Sequence, residues 1–139
     1  MNYSAGLKAK IDELGLKKEN ILYLPIAKQH LNRIKNKTKV IEFRDNTDYY
    51  AKKLAKFDKS GDFVEDKPIT HILFQGGYNA DSPRMLTEMK EYLAKYEKIE
   101  NPDNPKTLFL LDEAGKEGFE FDDEYIGLFI GKIEYEENF

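Results

Sequence analysis

The stretch NKTKVIEFRD, residues 36–45, places three basic residues and one glutamate around a short apolar alternation. Successive side chains of a β-strand point to opposite faces, so the segment KVIEFR predicts a strand with two chemically different faces. One face has Val40, Glu42 and Arg44, and the other has Lys39, Ile41 and Phe43. A charged strand face is either solvated or lines a polar cleft that holds a ligand. The rest of the sequence bears on which of the two applies.

The length and composition of the chain predict one globular domain. Its 139 residues are enough for a single hydrophobic core, and they are 40% hydrophobic and 35% charged. We expect one domain over residues 1–139, in which residues 1–20 form an N-terminal helical addition. The sequence has no cysteine, which excludes disulfides, thiolate chemistry and cysteine-based zinc sites.

The hydropathy pattern predicts a protein without a membrane segment. No apolar run approaches the roughly 18 residues that a membrane helix needs. The first residues, MNYSAGLKAKIDELG, lack the apolar region of a signal peptide. We therefore expect a cytoplasmic protein.

Charge is distributed unevenly along the chain. Residues 1–57 have 13 Lys or Arg and 6 Asp or Glu, whereas residues 112–139 have 2 and 10. The two ends either neutralise each other in the fold or present a basic and an acidic surface. The net charge of −4 disfavours tight, sequence-independent binding of duplex nucleic acid, which depends on phosphate neutralisation.

Periodicity predicts the elements of the first half of the chain. Apolar residues at helical or strand spacing, together with capping residues, mark each of them. The predicted elements are an amphipathic helix that ends near Gly15, a strand at 21–26, a helix at 27–37, the strand KVIEFR, and a helix capped by Asn46 or Thr47.

The second half is predicted from glycine, proline and β-branched residues. Residues 58–67 are predicted as a polar loop, and ITHILFQGGY, residues 69–78, as the strongest strand. Pro83 after Asp81 or Ser82 predicts the start of another helix. Further predictions are a loop at 99–106, a strand TLFLL at 107–111, an acidic turn-rich segment at 112–124, and a long C-terminal strand with a bulge near Gly131. Together these elements favour a mixed α+β domain with a small twisted barrel.

Few residues carry recognisable chemistry. The sequence has no P-loop, no GxGxxG and no HExxH motif, and no His, Asp or Glu spacing that indicates a metal site, so we expect neither metal nor cofactor. His30 and His71 are isolated. A lysine near a carboxylate acts as a base or nucleophile when burial lowers its pKa, and an arginine holds a carbonyl or phosphate through its planar fork. The candidate site residues on these grounds are Lys39, Glu42 and Arg44, followed by Tyr49 and Tyr50, whose rings can stack a base.

The segment ILYLPIAKQHLNRIKNKTKVIEFRD, residues 21–45, resembles the opening of the ASCH family of the PUA-like superfamily. The family has a strand, a helix that ends in an I-x-x-G-x-K turn, and a strand of the form K-T-[IV]-E-x-R. Lys39, Ile41, Glu42 and Arg44 match this last strand, whereas Val40 replaces the threonine. The closing YIGLFIGKIEY is similar to the last strands of the family.

The resemblance implies a small PUA-like β-barrel of mixed strands with flanking helices, and a cleft lined by the strand KVIEFR. It implies RNA or nucleotide binding, in which Glu42 accepts from a base amino group and Arg44 holds a carbonyl or phosphate. One branch of the family hydrolyses acetylated cytidine, which implies a catalytic role for Lys39, with Glu42 or a later residue such as Glu88 as its partner. Strict alternation separates Lys39 from Glu42, so a turn or bulge is required to bring them together.

Three functions therefore remain open. The first is an RNA- or nucleotide-binding domain, and the second is a small amidohydrolase that acts on a modified nucleoside such as acetylcytidine. The third is a protein-interaction domain without a small-molecule ligand, which docks a partner through the acidic C-terminal region.

Overall fold

A computed structural model describes residues 2–99 and 101–139. The α-helices are α1 (Ala5–Glu13), α2 (Lys28–Lys35), α3 (Asp48–Leu54) and α4 (Pro105–Lys116), and a 3₁₀ turn spans Lys18–Asn20. The strands are β1 (Ile21–Pro25), β2 (Ile41–Asp45), β3 (Ala55–Phe57), β4 (Phe63–Asp66), β5 (His71–Gln75), β6 (Arg84–Lys95) and β7 (Tyr125–Glu137). Among the described residues, none of the helices combines the length and apolarity that crossing a membrane requires.

Five strands form one curled sheet in the order β1-β5-β6-β7-β2. The pair β1–β5 is parallel and the other neighbours are antiparallel, so the sheet is mixed. Its two edge strands, β1 and β2, are close enough for a hydrogen bond between them. Arg44 on β2 donates from Nη2 to the Pro25 carbonyl on β1 at 2.9 Å. The fold is thus α+β with a barrel-like half-closed sheet, as the sequence predicts at this level, and β3 and β4 form a separate hairpin.

Three apolar clusters hold the helices on this sheet. The largest lies under α2 and α3 and includes Leu31 and Phe74, both fully buried. A second joins α4 to β2 and β7 through Leu110 and Phe43. The third joins α1 to β5 and β6 through Leu7. The segments that follow α2 and α4 meet beside β2, where Lys39 and Glu117 approach each other.

Two predicted elements are wrong. Residues 84–95 form the central strand β6 instead of a helix, since Met85 and Leu86 enter apolar clusters on opposite faces of the sheet. Ser82 closes a turn there, accepting from the Asn79 backbone N–H at 2.9 Å. Conversely, the predicted strand TLFLL belongs to α4, which Asn104 caps by accepting from the Lys106 N–H.

The other predicted helices and strands are present, but their bounds differ in places. Helix α4 takes Pro105 and Lys106 from the loop predicted at 99–106, of which residue 100 lies outside the described residues, and it takes residues 112–116 from the predicted acidic turn-rich segment. The predicted polar loop at 58–67 contains β4, and Thr47, not Asn46, caps α3. The register shifts between Thr87 and Met89, whose partners are Ile133 and Ile130, so β7 has its extra residue close to the predicted bulge at Gly131. Helix α1 ends where Gly15 adopts φ +68, a left-handed conformation that glycine takes at low cost.

Candidate functional site

A turn between α2 and β2 brings Lys39 to the same side as Glu42. Lys37 adopts φ 67, and the backbone N–H groups of Thr38 and Lys39 donate to the Arg33 carbonyl, which closes the end of α2. Strand β2 begins only at Ile41. The predicted alternation therefore fails at Lys39, whose Nζ lies 3.3 Å from Glu42 Oε1.

Five charged side chains form a continuous ion-pair chain in the order Arg33–Glu117–Lys39–Glu42–Arg44. Arg33 holds the Glu117 carboxylate with two hydrogen bonds of 3.0 and 2.6 Å. Lys39 Nζ lies 3.8 Å from Glu117 Oε2, and Arg44 Nη2 lies 2.8 Å from Glu42 Oε2. The side chains of Lys39 and Glu42 are only 4% and 8% exposed. The chain has an arginine at each end and contains three cations but two carboxylates.

Arg44 connects this ion-pair chain to the gap between the edge strands. Besides Glu42 and the Pro25 carbonyl, it donates from Nη1 to Tyr50 Oη at 3.2 Å, and its guanidinium lies 5.7 Å from the Tyr50 ring centroid. Burial disfavours the charge of Arg44, but Glu42 and Tyr50 outweigh this effect and raise its pKa. The guanidinium is thus held in one orientation by two edge strands and α3.

Four members of the ion-pair chain form the floor of an open cleft of about 400 Å³, and the fifth, Arg33, lies outside its lining. This volume is within the range of small-ligand sites. The cleft lies where β1 and β2 approach each other and is bordered by the start of α2. Its lining combines charged groups with aromatic side chains and includes His30, Lys39, Glu42, Arg44, Tyr50, Glu117 and Phe119.

The structure brings together four of the predicted site residues: Lys39, Glu42, Arg44 and Tyr50. Tyr49 is 65% exposed and lies outside the cleft lining. Glu88 is exposed on β6, opposite His71 of β5, and also lies outside it.

Glu117 and His30 are among the lining residues that were not identified from the sequence as site residues. Glu117 follows the last turn of α4, so a correct assignment of α4 was needed to place it. His30 lies on α2 at the side of the cleft, and its Nδ1 is buried without a hydrogen-bond partner. The sequence signal that could have placed His30 is the helical stripe of Leu31 and Ile34. These two residues pack α2 on the core and thereby fix which side of the helix His30 occupies.

Glu117 is expected to make folding stability dependent on acid pH. The Arg33 hydrogen bonds lower its pKa, and the charge of Lys39 adds to this effect, whereas burial opposes it. Because the pKa of Glu117 is lower in the folded state than its ordinary value of 4.5, its ionised carboxylate stabilises the fold at pH values above 4.5. This stabilisation is lost as the pH falls through the folded-state pKa. Glu117→Gln should therefore cost stability at pH 7 and much less at about pH 3. Urea unfolding across this range measures the difference.

The exposed pair Lys56–Glu65 provides the control for this prediction. Exposed ion pairs contribute little, so Glu65→Gln should change the unfolding free energy by only about 0.5 kcal/mol at either pH. A constant difference between wild type and Glu117→Gln from pH 7 to 3 would show that the Arg33 contact has no ionic component.

The described residues contain no group of three or more His, Cys, Asp or Glu side chains that could hold a metal ion. No family model, curated protein or solved structure matches the chain. The interpretation of the cleft therefore depends on its own geometry.

Proposed function

We propose that this chain is an RNA- or nucleotide-binding domain of the ASCH type, within the PUA-like superfamily, and that the cleft accepts a base and its attached phosphate or sugar. The observation that supports this proposal is the nearly buried Lys39–Glu42 pair, which lies at the floor of an open cleft and is joined there to Arg44. The similarity of Lys39, Ile41, Glu42 and Arg44 to the family strand supports it independently.

Energetics favour a functional role for these charges. Desolvating a lysine and a carboxylate costs several kcal/mol per ion, and apolar residues of similar volume often stabilise a fold at least as well. A purely structural floor would therefore not need the ion-pair chain. Arg33 lies outside the cleft, so the cleft lining itself has two cations, Lys39 and Arg44, and three carboxylates, those of Glu42, Asp45 and Glu117. A ligand that offers acceptors to the cations and donors to a carboxylate, as a nucleobase does, complements this lining.

The contacts suggest a role for each residue. Glu42 already accepts from Lys39, Arg44 and the Phe43 N–H, so it orients the two cations and has little capacity left for a base. Arg44 uses three of its hydrogen bonds within the protein, and a guanidinium has five N–H donors, so donors remain for a phosphate or carbonyl. Tyr50 and Phe119 also line the cleft, so aromatic side chains border the space for a base.

Arg44→Lys is expected to weaken nucleotide binding about tenfold or more. The substitution keeps the positive charge but removes the planar fork, and hydrogen bonds to charged groups contribute about 1.5–3 kcal/mol. Isothermal titration with the four nucleoside 5′-monophosphates at low salt measures the change. Arg84→Lys is the matched control, because Arg84 is also buried but bonds to Gln75 and the Asn2 carbonyl outside the cleft. Unchanged affinity of Arg44→Lys, or no binding to the wild type, would contradict the proposal.

A second candidate is the amidohydrolase, and one observation favours it. Glu117 supplies a carboxylate from a late segment of the chain, 3.8 Å from Lys39, in the role for which the sequence suggested Glu88. Hydrolysis would add water across the amide bond of acetylcytidine and release acetate and cytidine. Chromatography of acetylcytidine incubated with the protein discriminates the two functions, because a binding domain releases no acetate.

A further inference from the structure

A second, larger groove adjoins the cleft. It has a volume of about 890 Å³ and lies between the β3–β4 hairpin and the body of the domain. Its lining includes four lysines, at positions 52, 56, 59 and 67, and the aromatic residues Phe57 and Tyr96. Lys56 is paired with Glu65, and Lys67 donates from Nζ to the Lys52 carbonyl. The groove is thus more exposed than the cleft, where Lys39 and Glu42 are almost fully buried.

The first turn of α3 separates the two cavities. The cleft lining includes Asp45 and Tyr50, and the groove lining includes Asn46 and Ala51. Residues that are adjacent in sequence therefore line different cavities. Tyr49, 65% exposed, stands on this turn with its ring centroid 5.0 Å from that of Tyr50 in an edge-on arrangement. Aromatic rings are therefore present in the cleft, on the separating turn, and in the groove.

The groove is suited to a phosphate backbone. Lys53 Nζ lies 4.8 Å from the Tyr49 ring centroid, so a further cation lies beside this ring, outside the groove lining. Three carboxylates also line the groove, from Asp48, Asp58 and Glu124. The Asp58 carboxylate is occupied within its own turn, since it accepts from the N–H groups of Ser60 and Asp62. The lining therefore has four lysines and three carboxylates, and one of these lysines, Lys56, is paired with Glu65.

We propose that the partner is a single-stranded nucleic acid that enters the cleft with one nucleotide, crosses Tyr49, and continues along the groove of the β3–β4 hairpin. This inference rests on the proposed function of the cleft and extends it from a nucleotide to a strand. Proteins that bind single strands combine a lysine-lined groove with aromatic rings on which bases stack, which is the combination along this path. Tyr96, 59% exposed, is the stacking residue in the groove.

The first experiment compares short strands with monomers. Fluorescence anisotropy with labelled hexamers of A, C or U, as RNA and as DNA, gives the strand affinity, and titration with the corresponding 5′-monophosphates gives the monomer affinity. For the type of nucleic acid that binds more tightly, RNA or DNA, we expect the hexamer to bind at least tenfold more tightly than the corresponding 5′-monophosphate. Equal affinity of hexamer and monomer would overturn this inference and leave the proposed function intact, whereas no binding of either would overturn both.

Two variants then test the path. Tyr96→Ala should weaken hexamer binding about fivefold or more, the lower limit for loss of one base-stacking contact, without affecting the monomer. Lys59→Gln should reduce the slope of log K against log salt by about 0.7. Both residues are exposed, so neither substitution disturbs the apolar clusters.

The controls use the other side of the cleft and an unrelated lysine. Tyr78, 86% exposed beside Gly76 and Gly77, lies in a third cavity that shares Pro25 and Ala27 with the cleft. Tyr78→Ala and Lys8→Gln, the latter on α1, should leave hexamer binding unchanged. Loss of hexamer affinity in Tyr78→Ala but not in Tyr96→Ala would overturn the proposed path, because the strand would then leave the cleft on the opposite side.

Discussion

Glu42→Gln is expected to destabilise the fold by about 4 kcal/mol, because it leaves two neighbouring cations without their common partner. Glu42 lies between Lys39 Nζ at 3.3 Å and Arg44 Nη2 at 2.8 Å, and its side chain is almost fully buried. Removing one partner of a buried pair is strongly destabilising, since the remaining charge has lost both water and its counter-ion. Urea unfolding at pH 7, followed by circular dichroism, measures the loss.

Lys39→Met is the informative comparison. This substitution leaves two balanced pairs, Arg33–Glu117 and Arg44–Glu42, and fills the site with an apolar chain of similar length. We therefore expect a smaller cost, about 1–2 kcal/mol, in line with the loss of charge-assisted hydrogen bonds. The double variant Lys39→Met/Glu42→Gln should be more stable than the sum of the two single costs predicts, because Lys39 and Glu42 interact directly. Equal costs for the two single variants would contradict the view that charge balance governs this site.

The order of these effects also bears on binding. Glu42 contacts both Lys39 and Arg44, so its loss changes ligand affinity by changing the positions of these two side chains. Arg44→Lys, in contrast, removes ligand contacts while the Glu42–Lys39 pair persists. Stability and affinity are thus separable at this site. That separation is why the binding test uses Arg44 and the stability test uses Glu42.

Sequence patterns predicted the elements whose signals were local. The stripe of Leu31 and Ile34 and the alternation around Ile41 gave α2 and β2, and the run ending at Gln75 gave β5. Residues 84–95 were ambiguous, since Met85, Met89 and Tyr92 have helical spacing and yet all contact one cluster from a strand. Pairing with β5 and β7 on both sides decided the conformation, and pairing is not visible in local periodicity.

The site was predictable to the extent that it lies on one segment. Lys39, Glu42, Arg44 and Tyr50 are within 12 residues of one another, whereas Glu117 comes from the distant end of α4. The missed signal was the pair Asn104–Pro105, because asparagine at the cap and proline at the first position start a helix. Reading that proline as a helix breaker placed the acidic segment in a loop and so hid Glu117.

The packing of α4 on β7 leads to the second large expected effect. Leu110 is 2% exposed, and a Cβ added to Gly127 would lie 2.4 Å from its Cδ1 and 3.2 Å from Ile41 Cγ2. Gly127→Ala should thus cost about 2 kcal/mol through overpacking. Leu110→Ala should cost about 3 kcal/mol through loss of buried surface and the cavity it leaves.

Combining the two substitutions should cost about 3 kcal/mol, well below their additive value, because the new methyl group occupies space that Leu110 vacates. Urea unfolding of the four proteins gives this coupling energy. The control pairs Gly127→Ala with Leu7→Ala, a fully buried leucine on α1 in a separate cluster, for which we expect additivity. Additive behaviour of the Leu110 pair would mean that α4 shifts bodily away from β7. Such a shift would also move Glu117 away from Lys39 and interrupt the ion-pair chain.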